Sequence, residues 1–149
     1  MKSMAALLCL VGAVLADGVT AVPDDQAKEA VKQAREAFRS AESVEGKQGV
    51  VFGLHDVPND YVIKELAKYL RNRDPAIQGV AALALGGQGH NKEDAGKLLL
   101  KTYEKEKKEL EVAISCLDAM KALGWYGYWP ALEKDTGKGT RSAIVIRIL

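Results

Sequence analysis

The side chains best suited to binding are concentrated in one aromatic segment near the end of the chain. Both tryptophans and two of the five tyrosines lie between Trp125 and Trp129. Tryptophan and tyrosine combine a large rigid ring with a polar tip, so they are enriched at binding hot spots. We therefore predict Trp125, Tyr126, Tyr128 and Trp129 as partner-binding residues. The structural alternative is a turn whose rings fill the space between successive helical units. The two interpretations are compatible if one ring is buried and another is exposed.

The histidines and cysteines form no recognisable catalytic or metal-binding pattern. A zinc site needs several ligands in matched geometry, whereas His55 and His90 each stand alone in their segments. Cys116 lies among apolar residues and is expected to be a small buried hydrophobe, with a reactive thiol as the alternative. No Ser-His-Asp or Cys-His arrangement can be identified. The sequence therefore predicts no enzyme activity, no cofactor and no metal site.

Two further patterns could indicate anion-binding sites. The glycine-rich segments 86–89 and 137–140 lack the strand, loop and helix order of a phosphate-binding loop. Four lysines recur at helical spacing, namely Lys97, Lys101, Lys105 and Lys108. Glutamates interleave with them, and Glu104 stands four residues before Lys108, which favours a solvated charged helix. With a formal net charge of +1, the chain has no overall field that would attract nucleic acid.

The N-terminus has the pattern of an export signal. Lys2 precedes an uncharged apolar stretch from Met4 to Ala16, and Val14 and Ala16 fit a cleavage site before Asp17. The stretch is shorter than the roughly 20 residues needed to cross a bilayer. We therefore predict a signal peptide over 1–16, a flexible lead over 17–23, and an exported mature protein without a transmembrane span. A buried first helix or an uncleaved anchor is the alternative.

The remaining residues have the composition and periodicity of a helical domain. The chain is 48% hydrophobic and 28% charged but only 6% aromatic, a mixture that favours packed helices over sheets. The apolar spacing predicts helices over 24–41, 45–57, 60–72, 74–86, 91–103, 110–123, 130–133 and 143–149. We predict N-terminal caps at Asp24 or Asp25, Asp74 and Asn91, and a left-handed glycine within 86–89 that ends the helix over 74–86. The segment 45–57 is the least regular, because Val50–Leu54 would also suit a strand. Its glycines are predicted to let neighbouring helices approach closely.

A repeated signature indicates how these helices are arranged. The segment from Asp74 to Gly86 begins with Asp-Pro and ends with Ala-Leu-Gly. Ala-Leu-Gly recurs and ends at Gly124, 38 residues later. A period of this size is typical of arrays of stacked helical pairs. A single pair cannot bury its apolar side alone, so stacking would create a continuous core and leave an extended face open.

These residues resemble the HEAT repeats, in particular the bacterial HEAT-like repeat proteins. The matching positions are Asp74, Pro75, Ile77, Ala81, Ala84, Leu85, Gly86, Ala119, Ala122, Leu123 and Gly124. The resemblance implies an all-α fold, a right-handed α-solenoid of stacked antiparallel hairpins with about three repeats over 24–149. Such repeats commonly carry Arg or Lys where this chain has Gln78, which is added to the predicted partner-binding residues. The sequence ends within the apolar run of 143–149 without a polar end repeat, so we expect the array to be incomplete at its C-terminus. The alternative is a last helix that packs fully against its neighbour.

The resemblance implies a non-catalytic scaffold that binds a protein or peptide partner. Two alternatives stay open at this point. One is binding of carbohydrate or cell envelope through the segment from Trp125 to Trp129. The other is an accessory, lyase-like HEAT protein, since some proteins of this architecture act on bound chromophores. The sequence does not indicate an oligomeric state.

Overall fold

The described part of the chain is entirely helical. A computed structural model describes residues 18–106 and 108–135, in which there are seven α-helices and no strand. They are α1 (Asp24–Ser40), α2 (Val44–Gly53), α3 (Asp60–Tyr69), α4 (Pro75–Leu85), α5 (Lys92–Lys105), α6 (Leu110–Ala122) and α7 (Trp129–Asp135). Short 3₁₀ turns cover Leu54–Asp56 and Gly89–Asn91. The all-α class is confirmed, and the strand alternative at Val50–Leu54 is wrong.

Helices that follow one another along the chain pack together in pairs. Three consecutive pairs are in contact: α1 with α2, α3 with α4, and α5 with α6. In addition α2 packs on α4 and α4 on α6, which makes a row that we call the central row. Helix α1 also packs on α3. We call α1, α3 and α5 the flanking row.

The core is densest around α4, where small residues allow close packing. Seven of its residues are buried: Ile77, Gln78, Gly79, Ala81, Ala82, Ala84 and Leu85. A Cβ atom added at Gly79 would lie 3.3 Å from Oγ of Ser115, and one at Gly86 would lie 3.4 Å from Cα of Ala119. The absence of side chains at these two glycines therefore lets α4 and α6 approach closely.

The predicted role of the α2 glycines is wrong. A Cβ atom at Gly49 or Gly53 would meet nothing within 4 Å, because both positions lie on the exposed side of the helix. The close approach predicted for α2 occurs instead between α4 and α6. Gly46 has only its own capping region nearby, where Ser43 Oγ accepts the Gly46 N–H at 3.0 Å.

Two of the predicted helix caps are confirmed, and one is wrong. Asp74 accepts the N–H of Ala76 at 2.9 Å, with Pro75 in the first turn, and Asn91 accepts the N–H of Asp94 at 3.4 Å. Helix α1 begins after Pro23 without a side-chain cap, so the predicted cap by Asp24 or Asp25 is not formed. The Asp24 carboxylate accepts instead from the side chain of Asn59.

The ends of α4 and α6 differ in backbone conformation. We expected a left-handed glycine within 86–89, but Gly86 has a φ of −59° and is right-handed. Gly124, which ends the second copy of the signature, has a φ of +64°. This left-handed residue turns the chain sharply after α6, so that the backbone N–H of Trp125 donates to the carbonyl of Met120 at 3.1 Å.

Some predictions concern residues outside the described part. The signal peptide over 1–16 and the helix over 143–149 both lie there. The start of the described chain is bound to the fold, because the Val22 N–H donates to the carbonyl of Pro58 at 2.8 Å. Within 18–106 and 108–135, no helix is both long enough and apolar enough to cross a bilayer.

Candidate functional site

The aromatic segment is divided between the core and the surface. Trp125 is 9% exposed and Tyr128 is 4% exposed. The Trp125 indole lies against the backbones of Gly96 in α5 and Gly127 in the α6–α7 turn, neither of which has space for a Cβ atom. Its Nε1–H donates to Glu93 at 2.7 Å. The Trp125 ring thus joins α5 to the chain that follows α6.

The other two aromatic residues are accessible. Tyr126 is 69% exposed, and Trp129, in the first turn of α7, is 46% exposed. The Trp129 indole N–H donates to Glu133 at 3.0 Å, and the Tyr126 and Tyr128 ring centroids lie 6.3 Å apart. Only Tyr126 and Trp129 of the predicted aromatic set therefore present a large ring area to a partner.

Gln78, the fifth predicted binding residue, lies within the fold. It is 6% exposed, and its Nε2 donates to the carbonyl of Leu70 at 3.0 Å and to Glu106 at 3.4 Å. The first bond satisfies a carbonyl at the end of α3, where the helix leaves acceptors without internal partners. Gln78 thereby connects α4 to the end of α3 and to the end of α5.

A buried polar pair that the sequence reasoning missed joins three loops. The Asn59 N–H donates to Oε1 of Gln88 at 3.0 Å, and Gln88 Nε2 donates to the carbonyl of Leu54 at 3.2 Å. Asn59 Nδ2 donates to the carbonyl of Val22 at 2.9 Å. Both side chains are buried, and their hydrogen-bonding groups are paired with backbone groups of these loops. Residues with side-chain amides are ordinary in loops, so nothing in the local sequence distinguishes Gln88 from an exposed loop residue.

Three concave features of the described chain lie along the flanking row. A groove of about 440 Å³ runs between α3 and α5, with Ile63, Ala67 and Leu98 on its floor. A second groove, of about 410 Å³, lies between α1 and α3, and a third, of about 350 Å³, continues the first toward the end of α5. Grooves with an apolar floor and polar edges are suited to binding an extended or helical segment.

Cationic side chains line all three grooves. They are Lys28, Lys32 and Arg35 from α1, Lys64 and Lys68 from α3, Arg71 just after α3, and Lys97, Lys101 and Lys105 from α5. The acidic residues lining the same grooves are Glu65, Asp94 and Glu106. Nine cations against three carboxylates make this face strongly basic, although the whole chain has a formal net charge of only +1.

Only three of the four lysines in the predicted row share one surface. Lys97, Lys101 and Lys105 line the grooves, but α5 ends at Lys105 and Lys108 lies beyond it. The predicted helical pair between Glu104 and Lys108 is therefore wrong, since no helical turn spans the two residues. Of the interleaved glutamates, Glu104 does not line the grooves, whereas Glu106 lines the third groove and lies 3.7 Å from Nζ of Lys105. The cationic side chains of these grooves nevertheless outnumber the acidic ones.

The carboxylate of Glu65 is already neutralised. It is 5% exposed in its side chain and accepts from Arg35 Nη2 at 2.6 Å and Lys68 Nζ at 2.9 Å. The hydrogen bond from Arg35, opposed by burial and assisted by Lys68, lowers the pKa of Glu65 below its ordinary value. Glu65 therefore connects α1 to α3 and offsets part of the charge of Arg35 and Lys68, which line the second groove with it.

The histidines and the cysteine have structural surroundings. Cys116 is fully buried, as predicted, and burial raises the pKa of its thiol to about 12. His55 hydrogen-bonds Asp56 at 2.9 Å, and His90 hydrogen-bonds Asp60 at 3.0 Å. The described residues contain no group of three or more His, Cys, Asp or Glu placed to hold a metal ion.

Comparison with known proteins gives no relative from which a role could be transferred. No protein-family model, no curated protein and no solved structure matches this chain.

Proposed function

We propose that this chain is a non-catalytic interaction module that binds a protein or peptide partner. We further propose that its helical pairs form a HEAT-like, right-handed solenoid of about three repeats. The consecutive pairing of α1–α2, α3–α4 and α5–α6, with α4 packed between α2 and α6, supports this arrangement. The Ala-Leu-Gly endings of α4 and α6 support it from the sequence.

The observation that carries this proposal is the groove between α3 and α5. Its floor is apolar, its edges are polar, and its volume of about 440 Å³ is sufficient for several side chains of a partner. Neighbouring helices of a packed row usually fill such a space with their own side chains. An open apolar groove along two helices is therefore best explained as a surface that a partner completes.

Site-specific photocrosslinking tests the location of this surface. A photoreactive phenylalanine analogue is placed at Ala67 on the groove floor or, as a control, at the exposed Ala122 of α6. The two proteins are irradiated in extracts of the source cells. We expect a discrete protein adduct from position 67 and none from position 122. Equal adduct patterns from the two positions, or none from 67, would contradict the proposal.

A second function is supported by the exposure of Tyr126 and Trp129. Two accessible rings on one turn form a surface on which sugar rings of the cell envelope could stack. The Tyr126→Ala/Trp129→Ala variant tests it, because both rings are exposed and their removal leaves the core intact. Loss of binding to polysaccharide or peptidoglycan, with groove crosslinks retained, would assign carbohydrate binding to the turn. Unchanged binding would exclude the turn from that role.

We also propose that the module is exported and that residues 1–16 are removed. The apolar stretch from Met4 to Ala16 and the small residues at its end support this. The intact mass of the protein recovered from fractionated cells provides the test. A chain beginning at Asp17 in the extracytoplasmic fraction is expected, and a full-length chain retained in the cytoplasm would contradict it.

A further inference from the structure

The chemistry of the α3–α5 groove specifies a particular class of partner. Three apolar side chains form its floor, and Lys64, Lys97 and Lys101 stand at its edges. The lysines at the edges project from two helices, so their charges are separated by roughly one helical turn along the groove. Residues on one side of a partner α-helix recur at the same interval. A segment that places apolar residues on one side and carboxylates beside them would match both features.

The cations at this groove are available for a partner. Within residues 18–106 and 108–135, no carboxylate oxygen lies within 4.0 Å of Nζ of Lys64 or Lys101. Lys97 has one such neighbour, Glu93 at 3.1 Å, and both side chains are more than half exposed. Exposed ion pairs of this kind are weak and readily exchange partners. Only Asp94 contributes an acidic side chain to the lining of this groove.

The shape of the groove separates a protein segment from other anionic partners. Ile63 is 5% exposed and lies at the bottom of a concave surface, so a flat anionic membrane could reach the lysines but not the floor. Nucleic acid would use the cations, but single strands also require aromatic platforms for their bases, and the lining of this groove contains no aromatic side chain. An acidic amphipathic segment is the partner that uses floor and edges together.

We propose, on the basis of the function proposed above, that the α3–α5 groove binds an acidic amphipathic helix of a partner protein. Its apolar side lies on Ile63, Ala67 and Leu98, and its carboxylates face Lys64, Lys97 and Lys101. The neighbouring grooves are also basic and extend the positive electrostatic potential of this face. That potential increases the rate of encounter with acidic chains and suppresses binding of basic ones.

Selection from a displayed library of random peptides of about 16 residues, enough for some 24 Å of helix, provides the test. The whole protein is immobilised, and a Lys64→Glu/Lys101→Glu variant is screened in parallel. A Lys121→Glu/Lys134→Glu variant, altered at exposed positions of α6 and α7, has the same charge change away from the groove. Circular dichroism and thermal unfolding establish that the three proteins are equally folded.

We expect the selected peptides to be acidic and amphipathic. Their affinity should fall at least about tenfold for the groove variant, remain unchanged for the control variant, and decrease between about 0.05 M and 0.5 M salt. Peptides that are neutral or basic, or that bind both variants equally, would overturn the inference. So would tighter binding of phosphatidylserine vesicles or a single-stranded oligonucleotide than of any peptide, with the same dependence on the groove lysines.

The outcomes distinguish this inference from the proposed function. If a partner crosslinks at position 67 but neither its contacting segment nor the selected peptides are acidic, the interaction module stands and the acidic partner is wrong. If position 67 yields no protein adduct and no peptide depends on the groove lysines, both proposals fail.

Discussion

The indole of Trp125 lies directly against the backbone of Gly96, on the side of α5 that faces the α6–α7 turn. No side chain is present at Gly96 to separate the two, and a Cβ atom there would overlap the indole ring. A Cβ atom at Gly127 would overlap other atoms of the same ring system. The aromatic segment is therefore attached to α5 by a ring that packs directly on two glycines.

We predict that Gly96→Ala destabilises the protein by about 1–3 kcal/mol. Alanine favours a helix over glycine by about 1 kcal/mol, but here its methyl group would force the indole or α5 to move. Gly49→Ala is the control, because a Cβ atom there meets nothing within 4 Å. That variant should be more stable by about 0.5–1 kcal/mol. Urea unfolding of both variants measures the two effects, and a stabilised Gly96→Ala variant would contradict the packing.

The buried pair of Asn59 and Gln88 gives a second prediction. Gln88→Leu preserves the approximate volume but leaves the buried Asn59 N–H without its partner, whereas the Leu54 carbonyl keeps the bond from the Val57 N–H at 3.2 Å. A buried group left unpaired costs about 1–3 kcal/mol, so we expect a loss in that range. The exposed Gln33→Leu on α1 makes the same chemical change at the surface and should alter stability by less than about 0.5 kcal/mol. Similar losses in both variants would refute the network.

Glu65 should make the protein sensitive to acid. Its pKa is lowered in the fold by Arg35 and Lys68, so the folded state binds a proton less readily than the unfolded state. The stabilisation is therefore present above the ordinary value of 4.5 and is lost as the pH falls through the lower pKa of the folded protein. Unfolding free energies between about pH 3 and pH 7 measure this. Glu65→Gln should flatten the acid limb, whereas Glu36→Gln, exposed on α1, should leave it unchanged.

Local chemistry in the sequence was sufficient to locate most helices. Asp74 and Pro75 mark the start of α4 because the side chain and the ring act within one turn. Helix α6 coincides closely with its apolar spacing, and Cys116 is buried as its neighbours indicated. The cap of α1 was mistaken because Asn59, 35 residues away, binds the Asp24 carboxylate that would otherwise have been free.

The candidate site could not be predicted in the same way. Two lysines four residues apart, such as Lys97 and Lys101, look the same in sequence whether they lie on a solvated helix or at the edge of a groove. The groove itself exists because α3 and α5 stand apart. The sequence identified the aromatic residues but did not indicate which of their rings is buried, because burial of Trp125 depends on the space left by Gly96 on α5. Both properties depend on contacts between helices, which single-sequence periodicity does not specify.

Cys116 should be unreactive in the folded protein. It is fully buried, and its pKa of about 12 leaves almost no thiolate at neutral pH. We expect alkylation by iodoacetamide, followed at the level of the Cys116 peptide by mass spectrometry, to be slower by at least about a hundredfold in native buffer than in denaturant. Because the readout resolves individual peptides, labelling elsewhere does not interfere. Rapid native labelling of this peptide would show that α6 opens easily.

The two tryptophans should behave differently towards quenchers and towards truncation. Iodide should quench Trp129, which is 46% exposed, and should hardly affect Trp125, which is 9% exposed. Fluorescence of the Trp129→Phe and Trp125→Phe variants separates the two signals. Trp125→Ala should cost about 3–5 kcal/mol because it leaves a cavity beside Gly96 and Gly127, whereas Trp129→Ala should cost less than about 1 kcal/mol. Equal quenching, or equal loss of stability, would mean that both rings occupy the surface and that the α6–α7 turn is not attached to α5 as described.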